Sequence, residues 1–334
     1  MNKKLLLTSA LVGSIAVAGS AIAETKISGD LEQTYASSSR DLAANKQTGD
    51  QGYGSEANIA MSASKDIDLG TLKYGFKFEG DGDNSFDADE HFLEISNDAL
   101  TFHFSRNSGS VNDLDGSVVP HVGDQNDTLA TRAGTAAFNS SYIDYRGGAY
   151  TGVSTKVLGG QVSLAYGLGS TGTDSGLIAG GESSVNASYI GSLGVEGLKV
   201  MLGRSEAESA TGGTARFNKM GASYSVGPVA IGVDHQDFDD GLGATASADN
   251  QTLRYGVTYN VSDDLSVGVN YSETQVGVAD SANTTAVDEE ITTFAVGYNL
   301  GGLGVKLYVS NIDNLAGTTG DDAQVIQFQT KQSF

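Results

Sequence analysis

The feature that most constrains this chain is a two-residue alternation, apolar against small or polar, repeated in segments of about ten residues from residue 24 to the end. Leu265, Val267, Val269 and Tyr271 alternate with Ser266, Gly268, Asn270 and Ser272, and Leu72, Tyr74, Phe76 and Phe78 with Lys73, Gly75, Lys77 and Glu79. A period of two puts one kind of side chain on each face of an extended strand. The pattern predicts strand cores at 25–36, 53–65, 71–79, 89–96, 99–106, 138–146, 160–168, 183–191, 198–207, 214–226, 229–237, 249–261, 265–276, 289–300, 303–312 and 322–334, the stretch 138–168 being the least regular. An even number of antiparallel strands returns both ends of a barrel to one side.

The connections sort by length. Short ones, such as Asn97-Asp98, Gly227-Pro228 and Gly301-Gly302, alternate with longer ones at 37–52, 80–88, 107–137, 169–182, 208–213, 238–248, 277–288 and 313–321. A β-sandwich also alternates its faces, but it has no reason to sort every second connection by length. A membrane barrel does. The expected fold is therefore all-β, a transmembrane antiparallel up-and-down β-barrel of sixteen strands. Its apolar face would meet lipid and its small, polar face would line a wet interior. The inward set would include Lys73, Lys77, Glu79, Glu94, Lys219, Arg254, Lys306 and Lys331. Two prolines in 334 residues suit long strands, since proline cannot donate to a ladder. With no cysteine, a closed ladder would hold the fold together in place of disulfides.

Residues 1–23 read as a secretory signal: Lys3 and Lys4, an apolar run from Leu5 to Ala18, and a small-x-small site at Ala21-Ile22-Ala23. The barrel domain is then 24–334. Without Lys3 and Lys4 the chain carries 17 basic against 41 acidic residues, which excludes nucleic acid as a partner.

The last expected strand ends Ile326-Gln327-Phe328-Gln329-Thr330-Lys331-Gln332-Ser333-Phe334. A terminal phenylalanine on a strand of this parity resembles the C-terminal assembly signal of Gram-negative outer-membrane barrels. Thr25 to Leu31 resembles the first strand of the general diffusion porins, Thr101 to Arg106 their fifth, and Asn139 to Tyr145 the strand that follows. The resemblance implies an outer-membrane location, a homotrimer, contact with the barrel-assembly machinery, and a third loop folded into the lumen. It also implies a constriction where loop residues Asp113, Asp115, His121, Asp124 and Asp127 face basic wall residues, for which Lys73, Lys77, Arg106, Arg132, Arg146 and Arg254 are the candidates. A charge ring at such a point sets ion preference.

The resemblance thus implies a water-filled channel for passive diffusion of ions and small hydrophilic solutes. A substrate-selective channel and a non-conducting structural or adhesive barrel stay open as alternatives. No catalytic or metal motif competes. The histidines His91, His103, His121 and His235 lack zinc spacing. His235 beside Asp234 and Asp237 is a weak rim-enzyme candidate. The acidic run Asp81 to Glu90 lacks the EF-hand order, so cofactors are not expected beyond Ca2+ held loosely by acidic outer loops.

Overall fold

The computed structural model describes residues 24–40, 48–80, 87–106, 118–122, 149–168, 183–208, 213–241, 250–276, 287–315 and 319–334. They form sixteen strands: β1 (Glu24–Arg40), β2 (Thr48–Ile67), β3 (Gly70–Gly80), β4 (Asp87–Ser96), β5 (Thr101–Arg106), β6 (Ala149–Val157), β7 (Gly160–Leu168), β8 (Ser183–Gly191), β9 (Leu198–Glu208), β10 (Thr214–Val226), β11 (Val229–Gly241), β12 (Asn250–Asn260), β13 (Leu265–Val276), β14 (Glu289–Leu300), β15 (Leu303–Asp313) and β16 (Ala323–Ser333). Each pairs antiparallel with its sequence neighbours, and β1 closes on β16, from Asp30 opposite Ser333 to Arg40 opposite Ala323. A closed ladder pairs the edge strands that an open sheet would leave free, which is what allows a sheet to sit in hydrocarbon.

The sixth strand differs from the expectation at 138–146, which lies outside the described residues. β6 instead runs Ala149–Val157 and turns into β7 through Leu158 and Gly159. Both turn residues have positive φ, 50° and 71°, the left-handed pair that matches a two-residue hairpin to the twist of its strands. Leucine seldom occupies that conformation, so the turn has no strong signature in the residues themselves. β6 pairs with β5 on one side and β7 on the other, so it takes the sixth place in the closed sheet.

Side chains divide by parity as the alternation requires. Leu31, Tyr35, Phe102, Phe104, Tyr255, Val257, Phe294, Val296 and Phe328 are exposed on the outer face, where a barrel presents its apolar band. Towards the long-connection end of β9–β11 this face changes character. Beyond Leu202, Met220 and Val233 come Arg204, Glu206, Arg216 and Asp239. Arg204 Nη2 lies 3.0 Å from Glu206, and Arg216 lies 3.4 Å from Glu206 and 3.6 Å from Asp239. Exposed pairs of this kind add little stability. They mark where the outer face leaves the hydrocarbon.

At the seam, Gly29 N–H donates to the Phe334 carbonyl (3.1 Å) and Phe334 N–H to that of Gly29 (2.9 Å). A Cβ on Gly29 would run into the Phe334 ring and the Asn58 carbonyl. Gly29→Val therefore should lower the yield of folded barrel, read as the fraction that keeps its compact mobility on an unheated gel. An undiminished fraction would show that the seam tolerates the overlap.

Candidate functional site

Five inward positions on five consecutive strands are glycine: Gly221 on β10, Gly232 on β11, Gly256 on β12, Gly268 on β13 and Gly297 on β14. They share parity with the inward Lys219, Asp234, Arg254 and Asn270, while their neighbours Met220, Val233, Val257, Val269 and Val296 face outwards. Residues 118–122 of the third long connection lie against them. A Cβ at Gly221 would come within 2.5 Å of Val118, at Gly232 within 2.8 Å of Pro120, and at Gly297 within 2.7 Å of Val122. At Gly256 it would collide with Val119 and with the Pro120 carbonyl. Only a residue without a side chain lets this segment lie so close on the strands. Asn270 Nδ2 donates to the Pro120 carbonyl at 2.9 Å, which satisfies a group the sheet cannot reach. Val118 packs with Ala165, Met201 and Phe217, and Val122 with Ala295 and Tyr308.

Close to Gly221, whose added Cβ would touch Asp234, lies an ion pair. Arg254 Nε and Nη2 donate to the two Asp234 oxygens at 2.8 and 3.1 Å, and the carboxylate is fully buried. Other inward residues of this half of the barrel are buried as well, Thr293, Ser310 and Gln327 among them. Water reaches the other wall. On β16 and β1–β4 the inward side chains of Lys331, Asp30, Glu32, Lys77, Glu79, Lys73 and Glu94 keep between 18% and 47% of their surface. Their charges are met locally: Lys73 by Glu94 (3.9 Å), Lys77 by Glu79 (2.7 Å), and Lys331 by Asp30 (3.3 Å) and Glu32 (3.6 Å).

The wall candidates thus separate. Lys73 and Lys77 lie on the wetted wall, and Arg254 lies on the opposite one, committed to Asp234. Arg106 is the last residue of β5, and its side chain lies outside what the structure describes. Arg132 and Arg146 lie outside the described residues, as do Asp113, Asp115, Asp124 and Asp127. His121 is exposed, with Nδ1 3.0 Å from the Val119 carbonyl, beside a cavity of about 600 Å3 at the short-turn end that Asp263, Asp264, Tyr298 and Lys306 also line. Asp234 faces inwards and His235 outwards, while Asp237, on the parity of His235, accepts from Asn218 Nδ2 at 3.4 Å.

Three features were not anticipated: the glycine cradle, the row of wall acids, and a relay of Glu94, His103 and Ser154. His103 Nδ1 is 3.2 Å from Glu94 and Nε2 is 3.0 Å from Ser154 Oγ. The contact order is that of a serine hydrolase, but Ser154 sits mid-ladder between β5 and β7, where backbone N–H groups are spent on pairing. An oxyanion needs free donors. The relay satisfies a buried serine and its histidine. The cradle did leave a trace in the residues, since glycine recurs on the inward parity of five successive segments.

A closed sixteen-strand barrel with an apolar exterior and a charged, wetted inner wall defines an outer-membrane barrel of the channel type. The Gram-negative porin model matches residues 8–329, and the chain belongs to that family. No curated protein sequence matches it significantly. Among solved structures it is similar to a loop-deletion mutant of OmpT, an outer membrane protein of Vibrio cholerae (TM-score 0.67, 13% identity, 93% of this chain and 99% of that one). It is also similar to Salmonella typhi OmpF in complex with daunomycin (0.66, 12%, 92% and 97%) and to an anion-selective porin from Comamonas acidovorans (0.64, 16%, 93% and 99%). At these identities the likeness is one of fold. The protein is a multi-pass β-barrel of the outer membrane.

Proposed function

We propose that the protein is a passive channel through which ions and small hydrophilic solutes diffuse. The observation that carries this reading is the wetted inner wall of β1–β4, with Lys331 of β16 at its edge. Charged side chains at mid-strand would be costly against lipid or in a dry core, and here they keep contact with water. Residues 118–122, which lie against inward glycines of the far wall, support a third connection folded into the lumen. A homotrimer, a signal peptide at 1–23 and Ca2+ held loosely by the outer loops belong to the same reading.

One observation favours a plugged barrel: the burial of Thr293, Ser310 and Gln327 on the inner face of β14–β16. Planar-bilayer recording of the purified barrel separates the two. Stable conductance steps are expected, in multiples of three for a trimer. A folded, heat-modifiable barrel that passes no current would establish the plugged reading instead.

A further inference from the structure

The wetted wall carries its acids in register. Glu79 on β3, Asn58 on β2 and Asp30 on β1 stand side by side, and one step on stand Glu56, Glu32 and Lys331. Like charges directly opposite one another destabilise an antiparallel pair, yet Glu32 and Glu56 are direct partners. The site meets this with donors. Lys331 reaches Asp30 and Glu32, and Gln329 donates to Glu32. Asn58 Nδ2 bridges Asp30 (3.2 Å) and Glu56 (2.5 Å). Asn58 is 8% exposed, and serving both carboxylates leaves its own buried Oδ1 without a partner. A buried acceptor left unpaired is costly, and here both N–H groups of the amide are given to carboxylates while its oxygen stays unmet. Among the described residues Glu56 makes no ion pair. Locally, four carboxylates (Asp30, Glu32, Glu56, Glu79) face two ammonium groups (Lys77, Lys331), both tied to acids already named.

We propose that this β1–β2 wall makes the channel prefer cations, with Glu56 as the specificity-determining residue and Asn58 as the residue that positions it. The inference rests on the channel reading. Lys331 acts on Glu56 only from beyond ion-pair distance, its contacts being with Asp30 and Glu32, and Glu56 stands on the side of the lumen that water reaches. A hydrated cation passing there completes what Lys331 and Asn58 supply only in part.

The test is the reversal potential in a KCl gradient across a planar bilayer, for the full barrel and for Glu56→Gln and Glu56→Lys. Gel mobility before and after heating verifies that each is folded. The parent barrel should pass K+ in preference to Cl−. Glu56→Gln should lower the permeability ratio by about twofold, and Glu56→Lys by roughly fourfold, the scale that one and two unit charges set on a nearby ion through water. A current-passing barrel whose ratio is equal in all three forms, or a parent that prefers Cl−, overturns the proposal alone. No current from a folded parent overturns the channel reading, and the proposal falls with it.

Discussion

Replacing Arg254 with methionine lowers the unfolding free energy by about 3–5 kcal/mol, the cost of removing one partner from a buried ion pair. Asp234 is fully buried and faces the guanidinium at 2.8 and 3.1 Å. Without it a carboxylate stays in a poorly solvated place, under the segment that lies on Gly232 and Gly256. Urea unfolding in detergent, followed by the loss of compact gel mobility, measures the change. The double variant Arg254→Met with Asp234→Leu recovers most of the loss, because replacing both charges with apolar groups of similar volume is often neutral or better. A single variant as stable as the parent would show that Asp234 does not depend on Arg254. The pair's effect on transport is then separable: in the stable double variant, any change of conductance reports the charges and not the fold.

Gly256→Val displaces residues 118–122 from the wall. Its new Cβ meets the Val119 side chain and the Pro120 carbonyl. Overpacking of this kind costs about 1–3 kcal/mol. The segment can yield only towards the barrel axis, so single-channel conductance falls. Gly304→Val is the control: it stands on the same inner parity, but its Cβ would find only an ordinary contact, 3.5 Å from the Lys331 carbonyl. Bilayer recordings of the two variants check this. Equal conductance in both would mean that the cradle does not set the position of 118–122. The cost of the first variant identifies these glycines as docking positions, not turn positions, since all five sit within strands.

The alternation determined the barrel because a period of two is a local property: each residue's face follows from its neighbour's. The sorting of connections by length, and the sixteen apolar–polar segments, supplied strand count and topology on the same basis. Fifteen of the sixteen strands stand where the alternation puts them. The exception, β6, hangs on a Leu158-Gly159 turn whose first residue carries no turn chemistry. The inward parity of Lys73, Lys77 and Arg254 was equally readable. What each of them does was not, because an ion pair across strands depends on register. Register decides that Arg254 meets Asp234 and that Glu56 stands opposite Glu32, pairs separated by 20 and 24 positions in the chain. A slip of one residue in register would move any of these side chains from lumen to exterior. Only closure of the sheet brings Lys331 on the last strand to Asp30 on the first. And only the tertiary fold seats Val118 to Val122 on glycines contributed by five strands. The residues alone determined which faces meet lipid and water. The closed sheet decided which charges meet each other, because pairing energy falls with distance in space while the alternation knows only distance along the chain.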